Sequence, residues 1–184
     1  VTGAAGGVGL TAVELGRQMG ARVIAVARGA DRLAVAQAAG AEVAIDSTGM
    51  SAEDLKARLK ALGGVDVAYE TIGGDIFHAA LGAMRPEGRL LTIGFAGGEV
   101  PKVPANHLLV KNIAVIGLYW GGYLSFRPEA LTGSLATLLD WYGAGRIRPH
   151  VSHVLPLAQA DQALALLKDR KSTGKVVVRC DGSE

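Results

Sequence analysis

Apolar residues in this chain fall into two alternating patterns. Short uninterrupted runs, typical of strands buried on both faces, are separated by stretches whose apolar positions recur at helical spacing. Val1 and Thr2 read as the tail of a first strand. Leu10, Val13, Leu15 and Met19 then follow a helical period, and Gly20 ends that helix. Residues 22–27 read as a second strand, 31–39 as a helix stopped by Gly40, and 42–45 as a third strand. Ser51 precedes Glu53 and Asp54, an N-cap with an acidic first turn, and its helix runs to Leu62 before Gly63 and Gly64. Residues 65–69 form a fourth strand, 75–84 a helix, 86–88 a turn and 89–93 a fifth strand. A Gly- and Pro-rich loop spans 94–104, a short helix 106–111 and a sixth strand 113–119. Leu131, Leu135, Leu138 and Leu139 line one face of a helix over 128–142. Leu157, Ala160, Leu164 and Leu167 mark another helix, and 175–179 a terminal strand. Strand and helix alternate throughout, so the pattern predicts an α/β fold with a parallel, doubly wound sheet of about six strands and helices on both faces.

The first strand turns into the first helix through a stretch holding Gly3, Gly6, Gly7 and Gly9. Backbone N–H groups at a helix start lack partners, and the helix dipole places positive charge there. Glycines let a pyrophosphate approach with no Cβ in the way. Ala4, Gly6 and Gly9 fit the dinucleotide fingerprint, with Ala4 in place of its first glycine. The motif follows a strand, opens a helix and lies in a βαβ unit, which is the context that a Rossmann-like cofactor site requires.

Composition narrows the function. With 184 residues and 49% hydrophobic content, the chain has the length for one domain with a sizeable core. A net charge of +2 without a basic run gives no reason to expect nucleic acid as a partner. No apolar stretch reaches the ~18–20 residues of a membrane span, and no signal peptide is visible. A single cysteine, Cys180, fits a reducing, cytoplasmic compartment. His150 and His153 lack acidic or cysteine partners nearby, so no metal site is expected. The chain opens inside a strand, without an initiator methionine, and reads as a fragment.

The end of the second strand selects the cofactor. An NAD site carries an acid there for the ribose hydroxyls. Here Ala27 is followed by Arg28, with Arg32 close behind, and no carboxylate stands in the way of a 2′-phosphate. The pattern predicts NADP(H); the alternative is that both arginines are solvated surface charges. No tyrosine has a lysine four residues later, which argues against a short-chain dehydrogenase.

Five motifs, at residues 3–9, 93–99, 108–113, 117–121 and 173–177, occur in an order that resembles the nucleotide-binding half of the quinone oxidoreductase (zeta-crystallin-like) family. That family is a zinc-free branch of the medium-chain dehydrogenases/reductases. The resemblance covers essentially the whole chain and implies that residues 1–184 are an NADP-binding Rossmann domain without its N-terminal, barrel-like (GroES-like) catalytic domain. It implies hydride transfer from NADPH to a small-molecule quinone or an activated C=C of an enone. By the same resemblance Ala5, Gly6, Gly7, Val8 and Gly9 wrap the pyrophosphate. Arg28 and Arg32 hold the 2′-phosphate, near Ser47, where relatives carry Tyr or His. Thr71 and Gly73 lie at the cofactor edge. Gly94, Phe95 and Ala96 approach the nicotinamide ribose, Leu118, Tyr119 and Trp120 line the nicotinamide, and Arg170 lies near the adenosine phosphate. Packing in a core or interface is the alternative for the three aromatics.

Catalytic residues come mostly from the other half of such proteins, so none is nominated here. The resemblance also implies a homodimer through the edge strand at 113–118, whose apolar edge otherwise needs a covering loop. Two other readings remain: a non-catalytic NADPH-binding module, and an enoyl reductase within a larger synthase.

Overall fold

A computed structural model describes residues 1–180. In chain order the elements are α1 (Gly9–Gln18), β1 (Ile24–Ala27), α2 (Ala30–Ala38), β2 (Val43–Asp46), α3 (Ala52–Ala61), β3 (Val65–Glu70), α4 (Gly74–Ala83) and β4 (Met84–Thr92). There follow α5 (Ala105–Lys111), β5 (Ala114–Gly117), α6 (Tyr123–Phe126), α7 (Pro128–Gly143), β6 (Val151–Pro156), α8 (Ala160–Lys168) and β7 (Lys175–Arg179).

β1 pairs with β2, and β3, β4 and β5 pair in that order, all parallel. The first two residues join these groups. Thr2 pairs in parallel with Val26, and Val26 N donates to Val1 O at 2.9 Å. On the other side Thr2 N donates to Tyr69 O at 3.1 Å. The spatial order is therefore β2, β1, the Val1–Thr2 segment, β3, β4, β5, and the direction of winding reverses at that segment. This is a doubly wound α/β sheet, and its switch point carries the glycine turn.

Side-chain alternation along β1 sorts the helices onto two faces. Ala25 packs with Leu10 and Val13 of α1 and Ala36 of α2. Ile24 and Val26 pack with Leu55 and Leu59 of α3 and Ala79 and Ala83 of α4. All four residues of β1 are buried, as a strand covered on both faces requires. A third cluster gathers Ala68, Phe77, Leu81, Leu90 and Ile113 beneath β3 and β4. Ser51, the expected N-cap of α3, forms a capping box with Asp54, and Lys111 donates to the Leu81 and Gly82 carbonyls near the end of α4.

The structure departs from the sequence pattern in several places. The turn expected at 86–88 lies inside β4, where Glu87 takes φ 63° and its N–H reaches Asn112 O at 2.7 Å. β4 therefore begins at Met84, in register with Val65. The sixth strand stops at Gly117, so Leu118, Tyr119 and Trp120 have left the sheet. The helix expected around 157–167 is split into a 3-10 turn, Leu157–Gln159, and α8. β6 had no strand signal, because its apolar residues do not alternate and two prolines flank it. It pairs only with β7, in a small separate sheet. No helix among the described residues is long and apolar enough to cross a membrane.

Phe77 is fully buried in the third cluster. Phe77→Ala should cost about 3–5 kcal/mol in a denaturant titration, because the cavity it leaves cannot collapse fully. Val110→Ala, on the exposed side of α5, should stay within about 0.5 kcal/mol.

Candidate functional site

The glycine turn is built by two different demands. A Cβ on Gly9 would overlap the Gly3 carbonyl, so α1 begins this close to the strand end only with glycine there. A Cβ on Gly6 would stand 3.4 Å from Gly3 O and meet nothing else, and Gly6 is exposed. The chain's own packing does not require glycine at position 6, and the space above it is open. Val8 supplies no side-chain cap, and the first turn of α1 holds no acid. The positive end of this helix therefore faces outward uncompensated. Gly7 lies against the second sheet: a Cβ there would come within 3.1 Å of Lys175 Nζ. Gly174 N donates to Ala5 O at 2.9 Å, which seats Lys175 beside the turn. Sequence reasoning missed this lysine, although it stands in the motif at 173–177.

Glu70 closes the neighbouring strand end. It is fully buried at the end of β3 and accepts hydrogen bonds from Thr2 Oγ1 at 3.0 Å, Ile72 N at 2.8 Å and Gly73 N at 3.0 Å. Thr71 N donates to Thr2 Oγ1, and Thr71 Oγ1 donates back to Thr2 O, each at 3.0 Å. These bonds fix the Thr71–Gly73 turn beside the glycine turn. The loop after β4 folds onto the same place: Ala96 N donates to Thr71 O at 3.0 Å and Gly97 N to Ile72 O at 2.8 Å. Gly73, at φ 84°, passes so close to Glu99 O that a Cβ would overlap it. The turn at 3–9, the turn at 71–73 and the loop at 94–97 thus meet at the carboxyl edge of the sheet. The sequence did not set Glu70 apart from Asp66, the other acid of β3.

Arg170 Nη2 donates to Ala96 O at 3.3 Å. It therefore stands beside the loop after β4. Arg170 takes φ 55° just after α8.

Arg28 is exposed in the loop after β1, and Arg32 is half-buried in the first turn of α2. Ser47 pins the end of β1, its N–H and hydroxyl both donating to Ala27 O. β1 itself ends without an acid, as expected, but β2 supplies one alongside: Asp46 is in register with Ala27. Its carboxylate accepts hydrogen bonds from Thr48 and from Gly29 N, and these, led by the Thr48 hydroxyl, hold its carboxyl below the usual range.

Leu118 N donates to Thr92 O, which keeps the chain after β5 beside the loop after β4. Tyr119 is 81% exposed, and Phe95 and Trp120 are about half that. None of the three packs in this chain's core. Trp120, Tyr123 and Phe126 form a run of rings with centroids 5.6 and 4.7 Å apart.

A cavity of about 440 Å³ runs along α1, between Glu14 and Arg17 on one side and Arg148 and Lys175 on the other. It touches the glycine turn only at Gly7, and Glu14 closes part of it by accepting from Arg148 N. His150 and His153 bond separately to Thr173 and Ser152. Among the described residues no three His, Cys, Asp or Glu side chains gather as a metal site would need.

Known proteins resemble this chain in sequence and in fold. The family model for zinc-binding dehydrogenases matches residues 7–139. Quinone oxidoreductase-like protein 2 of Bos taurus is 38% identical over 179 residues, 97% of this chain and 51% of that protein. The quinone oxidoreductase of Thermus thermophilus, solved also in complex with NADPH, superposes with a TM-score of 0.83 at 38% identity, over 98% of this chain and 56% of its own. A mycobacterial protein in complex with NADPH gives a TM-score of 0.87 at 29% identity, over 97% and 55%. The chain spans about half the length of these relatives.

The two demands on the glycine turn separate by substitution. Gly9→Ala should lower stability by about 1–3 kcal/mol through overpacking against Gly3, read by denaturant unfolding. Gly6→Ala should stay within about 0.5 kcal/mol in the same assay.

Proposed function

Because this chain belongs to the zinc-binding dehydrogenase family, as the nucleotide-binding part of its zinc-free, quinone oxidoreductase-like branch, we propose that it is the cofactor-binding half of an NADPH-dependent reductase. The observation that carries this reading is the open face of the glycine turn, with free space over Gly6 and a lysine beside Gly7. In this reading Gly7 and Val8 offer backbone N–H groups to the pyrophosphate at the positive end of α1, and Gly6, whose own N–H is bonded to Gly3 O, lets it approach. Lys175 adds a cation to the same phosphates. Arg28 and Arg32 take the 2′-phosphate, and Ser47 keeps the strand end in place beneath them. The Thr71–Gly73 turn and Gly94, Phe95 and Ala96 border the nicotinamide end, with Leu118, Tyr119 and Trp120 beyond.

NADPH would supply a hydride, and the acceptor we propose is a quinone or the activated C=C of an enone. This chain's part is to hold the nicotinamide in position at the edge of the substrate cleft. The rest of the cleft, and the catalytic side chains, would come from the other half of the protein. A cytoplasmic setting suits the free, exposed thiol of Cys180.

Titration with NADPH and NADH, followed by nicotinamide fluorescence, tests the reading. NADPH should bind more tightly, and Arg28→Ala/Arg32→Ala should cost it about ten- to a hundredfold in affinity while sparing NADH. Lys175→Ala should weaken both cofactors alike. Equal binding of the two by the parent chain would remove the arginines from the site, and binding of neither would leave the glycine turn a structural device.

We also propose a homodimer through the free edge of β5. That strand is the last of its sheet, and Ile116 on it is 41% exposed, with Leu124 and Phe126 of α6 more exposed still. An apolar edge of this kind needs a cover. Sedimentation should give a dimer for the parent chain and a monomer for Ile116→Glu; a monomeric parent would overturn the proposal.

A further inference from the structure

The adenosine end of the site holds a charge that the proposed function does not use. Asp46 ends β2 directly beside Ala27, where β1 gives way to the Arg28 loop. Its Oδ1 accepts from Gly29 N at 3.1 Å, Thr48 N at 2.9 Å and Thr48 Oγ1 at 2.6 Å. One carboxylate oxygen thus latches the loop after β1 to the loop after β2. Gly29 takes φ 89° and has open space around its missing Cβ, so glycine is there for its backbone angle, and the Asp46 bond fixes that angle. The adjoining residue is Arg28. Neither Arg28 nor Arg32 pairs with Asp46, and no described cation does. The corner therefore carries two unpaired guanidiniums and a carboxylate kept charged by its hydrogen bonds, with Asp31 of α2 as a further exposed acid nearby in sequence.

We propose that Asp46 is a specificity-determining residue for the cofactor. It positions the Arg28 loop through its hydrogen bonds, while its negative charge opposes the 2′-phosphate and so moderates the preference for NADPH over NADH. The proposal rests on the cofactor reading above. The two effects have opposite signs and separate by substitution. Asp46→Asn keeps an acceptor for Gly29 and Thr48 and removes the charge. Asp46→Ala removes both.

The test is equilibrium binding of NADPH, NADH and adenosine 2′-monophosphate to the full chain and both variants, with thermal unfolding to verify the fold. The side chain is exposed, so neither variant should unfold. Asp46→Asn should bind NADPH and adenosine 2′-monophosphate about three- to tenfold more tightly, with NADH unchanged, the size expected for one charge acting on a phosphate through solvent. Asp46→Ala should bind NADPH less tightly than Asp46→Asn, because the loop is released. If the parent prefers NADPH and Asp46→Asn leaves its NADPH to NADH ratio unaltered, Asp46 is only a turn residue and this inference alone fails. If Asp46→Ala matches Asp46→Asn, the positioning role fails and the charge effect stands. If the parent shows no preference, the 2′-phosphate site fails first and this inference falls with it.

Discussion

A carboxyl group with no access to solvent holds the centre of this fold together. Glu70 is tolerated only because Thr2 and the N–H groups of Ile72 and Gly73 meet its oxygens. Burying such a group without partners would cost several kcal/mol. Each of those partners belongs to or adjoins the proposed site. Thr2 sits in the segment where the sheet changes its direction of winding, and the Ile72–Gly73 backbone forms the turn beside the glycine loop. Satisfying one acid therefore sets the separation between the two halves of the sheet at their carboxyl edges, where the crevice opens. The reciprocal bonds between Thr2 and Thr71 hold the same joint from the side.

Much of this architecture is written in local patterns. The buried run of β1, the helical spacing after Gly9 and the capping box at Ser51 each specify their element without distant help. The glycine turn was legible because its demands are steric and local. What escaped the sequence involves partners distant along the chain. Lys175 reaches the glycine turn only because Gly174 bonds to Ala5 across the molecule. Asp46 stands beside Ala27 through strand register, which no spacing along the chain reveals. The bond from Arg170 to Ala96 likewise joins segments far apart in the chain. β6 was hidden for another reason: a strand with one small partner and no core to face has no need of alternation.

Charge is distributed unevenly along the edge of the sheet. The glycine turn presents a helix end and one lysine. The corner after β1 presents two arginines opposed by one carboxylate. Beside the loop after β4 stands Arg170, engaged with a carbonyl of that loop. A ligand with several phosphates would thus be held mainly at one end and left comparatively free at the other.

The loop after β4 is anchored by its backbone, through the amides of Ala96 and Gly97 onto the carbonyls of Thr71 and Ile72. Those bonds are indifferent to side-chain identity, apart from the close approaches that require Gly73 and Gly97. Phe95 therefore sits on a rigid mount that does not depend on it. A substitution there would change what the loop presents and leave the frame that presents it undisturbed.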